Sequence, residues 1–160
     1  MTLLDQTIEP RPAPRPGRPR LPPTLRQLLH RADQAGDAEW ETLTKGKESA
    51  LTPRQYDMLK AVSMKPGGHI TDIVERSRID RSTAQMLVQK LEAQGFMTKW
   101  RDVEDRRAWR VSLTEAGRQK LREAELTALW VERKLIANLS DGEREELERL
   151  LGKITEAACP

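Results

Sequence analysis

From Leu25 onward, apolar residues recur at helical intervals and are interrupted by recognisable stops. Leu25, Leu28, Leu29, Ala32, Trp40 and Leu43 fall near three-and-four spacing with charges between them, which predicts a first helix. Gly46 and the stretch to Ala50 break it. Thr52-Pro53-Arg54-Gln55 then sets an N-cap, a proline at the first helical position and a glutamine in capping-box register. A second helix starts there, with Tyr56, Leu59 and Val62 on one side, and Pro66-Gly67-Gly68 ends it.

Beyond an extended bit at His69 and Ile70, Thr71 is placed to cap a brief third helix that turns Ile73 and Val74 inward. A turn over Ser77 to Ile79 follows, and Asp80 caps a fourth helix ending at Gly95, with Ala84, Leu87, Val88 and Leu91 as its apolar stripe. Phe96 to Arg101 and Ala108 to Leu113 read as two strands joined by a charged loop, a hairpin. Thr114 caps a long helix in which Leu121, Ala124, Ala128, Val131 and Leu135 form a near-heptad seam that wants a partner helix. Ser140-Asp141-Gly142-Glu143 opens a last helix with Leu147, Leu150, Leu151 and Ile154 on one face.

Composition adds a leader to this picture. Seven of the ten prolines lie between Pro10 and Pro23, so residues 1–23 are expected to stay disordered and near polyproline II. The charge is partitioned: residues 50–120 carry fourteen basic and nine acidic side chains, whereas residues 121–160 carry six and nine. A basic middle with acidic helical ends suits a middle that meets a polyanion and ends that meet each other. One cysteine, Cys159, excludes an internal disulfide framework, and two distant histidines suggest neither a metal site nor a catalytic base. No cofactor is expected, and nothing reads as an enzyme. No apolar run approaches the roughly 20 residues that span a bilayer, so a cytoplasmic, nucleoid-associated protein without membrane contact is expected.

The fold class is therefore mostly α with a small β-hairpin wing. Residues 51–114 read as a winged helix-turn-helix, flanked by N- and C-terminal helices at residues 24–50 and 115–158. In such a domain the recognition helix enters the major groove of double-stranded DNA. The exposed face of the fourth helix carries Arg81, Ser82, Gln85 and Gln89 rather than a Lys/Glu mixture. Gln85 and Gln89 can bond adenine in a bidentate way, Arg81 guanine or a phosphate, and Ser82 and Thr83 phosphates at the helix N-terminus. Thr71 is a further candidate for a phosphate contact.

The stretch Asp105-Arg106-Arg107-Ala108-Trp109-Arg110-Val111-Ser112-Leu113-Thr114-Glu115-Ala116-Gly117 resembles the Asp-x-Arg-(x)5-Leu-Thr-x-x-Gly signature of the MarR family of bacterial transcription regulators. Leu51 to Tyr56 and Ile79 to Thr83 are similar to that family's helix-two opening and recognition-helix entry. The resemblance implies a homodimer in which residues 24–50 and 115–158, the first and last two helices of each chain, are the dimerisation helices, and which sits on a pseudo-palindromic operator as a repressor. It also implies that Asp105 orders the wing by pairing with Arg107, while Arg106 or Arg107 enters the minor groove.

Family members commonly respond to small aromatic carboxylates or phenols, and for such an effector His30 and Tyr56 could line a cleft. Their plainer role is packing, as for the four tryptophans. In the leader, Arg15-Pro16-Gly17-Arg18-Pro19-Arg20 partly matches a minor-groove AT-hook. Arg15, Arg18 and Arg20 are thus either a DNA-contacting arm or part of an inert extension. The competing class is a winged-helix protein-interaction or non-specific architectural DNA-binding module without an effector.

Overall fold

The computed structural model describes residues 22–77 and 81–157. Arg15, Arg18, Arg20, the cap expected at Asp80 and Cys159 lie outside the described residues. Helix α1 (Leu25–Thr44) begins at a capping box that the apolar spacing does not reveal: the Gln27 N–H donates to Thr24 Oγ1 at 3.3 Å, and Gln27 Oε1 accepts from the Thr24 N–H at 2.9 Å. Helix α2 (Pro53–Met64) opens on the expected box of Thr52 and Gln55. The buried Trp40 indole donates to the Leu51 carbonyl at 2.7 Å, tying α1 to the entry of α2.

Strand β1 (Gly68–His69), helix α3 (Ile70–Ser77) and helix α4 (Arg81–Ala93) follow. Strands β2 (Met97–Arg101) and β3 (Trp109–Leu113) then lead to α5 (Glu115–Leu135) and α6 (Asp141–Ala157). Two expectations need correcting. Thr71 sits inside the first turn of α3 rather than capping it, because the helix already begins at Ile70. The hairpin is part of a three-stranded antiparallel sheet in the order β1-β3-β2, with Gly68 opposite Val111 and His69 opposite Arg110. A two-residue strand carries no alternation to read, so only the β2–β3 pair was visible in the pattern.

The core forms where α2, α3, α4 and the sheet meet. Met58, Leu59 and Val62 of α2, Ile73 of α3, Leu91 of α4, and Met97 and Val111 of the sheet are almost wholly buried. Each such side chain contributes about 1.5–3 kcal/mol relative to exposure. The α5 seam finds its partners in the same chain: Leu121, Ala124 and Val131 are buried, and α5 packs along α1 and α2. At Gly36 an added Cβ would stand 3.4 Å from Leu135 Cδ1, so α1 and α5 approach closely there.

A clamp sets the angle between the wing and α5. Gly95, at φ +75°, ends α4: its N–H donates to Glu92 O and the Phe96 N–H to Leu91 O, both at 2.9 Å. Thr114 donates through Oγ1 to Gly95 O at 2.6 Å and through its N–H to Phe96 O at 3.1 Å. Thr114 Oγ1 also accepts from the Gly117 N–H at 2.9 Å, capping α5. A Cβ at Gly117 would lie 1.9 Å from Phe96 O, so only glycine lets α5 start this close to the end of α4. Gly117→Ala should lower stability by about 2–3 kcal/mol because backbone has to move. Gly95→Ala should cost about 1 kcal/mol, the strain of a positive φ. Urea denaturation of the two variants checks the order, and an equal cost would count against the clamp.

Candidate nucleic-acid interface

Burying Ala84, Val88 and Leu91 turns the opposite side of α4 outward. Arg81, Ser82, Gln85 and Gln89 are exposed, and Thr83 is half-buried. Between α3, α4 and the wing runs a groove of about 570 Å3. Thr71, Glu75, Arg81, Gln85, Gln89, Lys99 and Arg107 supply its polar lining, Glu75 being its one carboxylate, and Ile70, Val74, Val88, Ala108 and Trp109 its apolar floor. The fold thus brings Thr71, Arg81, Gln85, Gln89 and Arg107 together from three separate stretches of sequence. Ser82, Thr83, Asp105 and Arg106 do not line the groove, although Arg106 is exposed in the wing loop. The one carboxylate of α4, Glu92, pairs with Lys99 at 2.6 Å, so the outward face of the helix holds only cationic and uncharged groups.

The wing is ordered differently from the expectation. Asp105 does engage Arg107, but Oδ1 accepts from the backbone N–H of Arg107 at 2.9 Å rather than pairing with the guanidinium. The organising side chain is Asp102, 4% exposed and absent from the sequence-based candidates. Its Oδ1 accepts from the N–H groups of Glu104 at 2.8 Å and Asp105 at 3.0 Å. Its Oδ2 accepts from Arg110 Nε and lies 3.0 Å from His69 Nε2. An ionised carboxylate can only accept, so the ring proton sits on Nε2. Arg110 Nη1 also donates to Gly67 O at 2.8 Å. The Asp105 N–H, then the Arg110 guanidinium and the Glu104 N–H, hold the Asp102 carboxyl well below the usual carboxylate range. An Asp at a strand end, able to bond the backbone two residues on, was the available signal.

Trp109 does more than pack the hairpin. Its ring carries the Arg101 guanidinium at 3.9 Å and the Lys99 ammonium at 5.5 Å. Arg101 Nη1 also donates to Arg107 O at 3.2 Å, so the stacked arginine braces the loop. The wing thus contributes Lys99, Arg107 and the Trp109 ring to a groove that also holds the Glu75 carboxylate.

His30 and Tyr56 are not gathered into a pocket of the single chain. His30 is exposed on α1, and Tyr56 is half-buried with its ring 5.3 Å from that of Trp40. Burial pushes the Tyr56 phenol up. A second cavity, about 110 Å3 between Trp40, Leu51 and Ala124, includes neither residue. Among the described residues, no group of three His, Cys, Asp or Glu could hold a metal ion. No helix there is long and apolar enough to cross a membrane.

Residues 51–108 match a family model described as MarR family. A relative from Thauera aromatica, named as a transcriptional regulatory protein for the hcr operon, is 30% identical over 104 residues, or 65% of this chain and 63% of that protein. The chain spans 49% of a second relative, the HTH-type transcriptional regulator SarZ of Staphylococcus saprophyticus, and thus between about half and two thirds of the curated relatives it matches. The structure of the PcaV transcriptional regulator from Streptomyces coelicolor with its natural ligand is similar at 28% identity and a TM-score of 0.76, over 84% of this chain and 93% of that one. BpsR of Bordetella bronchiseptica, whose DNA binding is regulated by 6-hydroxynicotinic acid, is similar at 28% identity and a TM-score of 0.73, over 80% and 96% of the two chains.

The Asp102 network generates a pH signature. The unfolded carboxyl takes up its proton near pH 4, whereas the folded one resists protonation to a much lower pH. Below about pH 4 the unfolded state binds more protons, and the contribution of Asp102 declines as pH falls toward the folded value. Thermal melts of the wild type and Asp102→Asn should differ by a constant amount from pH 5 to 8 and converge in stronger acid. A gap that stays constant down to pH 2 would contradict the network.

Proposed function

We propose that this chain, whose residues 51–108 match a MarR family model and whose fold is similar to that of PcaV, is a transcription regulator of that family acting in the cytoplasm as a homodimer on a pseudo-palindromic operator. The observation that carries the reading is the convergence of Arg81, Gln85, Gln89 and Arg107 on one groove beside a recognition-type helix whose outward face lacks carboxylates. α4 enters the major groove, Gln85 and Gln89 engage base edges, and each bidentate contact is worth about 1–3 kcal/mol of discrimination. Thr71, Ser82 and Thr83 lie near phosphates, and Arg106 extends from the braced wing into the minor groove.

Exposed apolar residues support the homodimer. Leu25 and Leu28 of α1, and Leu126, Leu129 and Trp130 of α5, are each about half exposed or more. α6 contributes no side chain to the core, and its Leu147, Leu150 and Ile154 remain 39–45% exposed. So large an apolar surface at the helical ends is what a second copy would cover. The regulation of BpsR by 6-hydroxynicotinic acid supports a small aromatic acid as the effector that relieves repression, and the complex of PcaV with its natural ligand supports an effector in general.

Genomic fragments bound by the full chain should yield a sequence whose half-site centres are about one helical turn apart, with affinity falling steeply with salt. Gln85→Ala should lower the preference for that sequence about tenfold or more. Arg106→Ala should weaken specific and random duplexes alike and reduce the salt slope by about one. Equal affinity of the wild type for the enriched and random duplexes would overturn operator recognition and favour an architectural module.

A further inference from the structure

One side chain on the outward face of α4 has no place among the polar contacts. Met86 is 65% exposed, although Leu87 and Val88 beside it face the core. At about 100° per residue, Met86 shares its face with Ser82 and Gln89 and stands opposite the stripe of Ala84, Val88 and Leu91. The groove toward the wing takes in Arg81, Gln85 and Gln89 but not Met86, so the thioether lies on the flank of the helix away from the wing. A lone exposed methionine is ordinary on a protein surface. This one is embedded in a run of hydrogen-bonding and cationic groups, with Gln85 next to it in sequence, Gln89 one turn on and Lys90 four residues on.

Base-pair edges in the major groove offer donors and acceptors plus one apolar group, the 5-methyl of thymine. Methionine, unbranched and polarizable, adapts to such a group without needing a fixed hydrogen-bond geometry. We propose that Met86 is a specificity-determining residue that packs on a thymine methyl group, so that each operator half-site carries a T·A pair beside the base pairs engaged by Gln85 and Gln89. The inference rests on the DNA-binding reading above and adds the base it selects.

The test uses the full chain and a duplex that it enriches from a random pool. Each thymine is replaced in turn by deoxyuridine, which removes only the methyl group. At one position per half-site the replacement should weaken wild-type binding about fourfold. Met86→Ala should bind the thymine and uracil duplexes equally, and Met86→Leu should recover most of the difference. The assignment is overturned if no uracil replacement weakens the wild type, or if the same replacement penalises Met86→Ala as much as the wild type. A pool from which no sequence is enriched would instead overturn the DNA-binding reading, and this inference with it.

Discussion

The carboxylate of Asp102 holds the wing to the rest of the domain. Its two oxygens gather donors from the wing loop, from the return strand at Arg110 and from His69 just before α3. Four donors around one nearly buried charge compensate its desolvation, and no buried polar side-chain atom among the described residues lacks a partner. The position of Arg107 in the groove, and the support that Arg101 gives it from the face of Trp109, follow from a loop fixed in this way.

A second constraint is steric. The Leu113-Thr114-x-x-Gly117 segment, part of the signature by which the chain resembles the MarR family, makes no demand on DNA chemistry in this structure. It seats α5 on the carbonyls of Gly95 and Phe96, with Thr114 bonded to both and Gly117 leaving room for the approach. Signature residues here thus divide into those that present groups outward, such as Arg107, and those that fix the junction between winged domain and long helix.

Features written in short stretches of sequence were legible. The capping boxes at Thr52 and Ser140 and the cap at Thr114 use partners three residues apart, and the stripe of α4 repeats within two turns. The polar outward face of α4 was legible because it departs from an ordinary solvated helix surface. Contacts between distant segments were not. His69 and Asp102 are 33 residues apart, and β1 is too short to show a period. For Asp105 the spacing identified the partner residue but not the atom, since a backbone N–H and a guanidinium look the same in a sequence. Met86 lies off the stripe of Ala84, Leu87, Val88 and Leu91, and an apolar side chain without hydrogen-bonding groups gave the sequence reading no chemistry to assign it. The α5 seam has the form of an intermolecular coiled coil, yet α1 folds back along it, because a seam records that a partner exists and not which chain supplies it.

The two-residue strand β1 alters the mechanics of the domain. By pairing with β3 it makes the return strand of the wing the middle strand of a sheet, bonded along both edges. The wing is then a lever with its root fixed in the body, unable to swing without breaking the ladder that also anchors the start of α3. Helix α4 and wing must travel as one piece, and any change in their position relative to the long helices has to arise at the junction with α1 and α5.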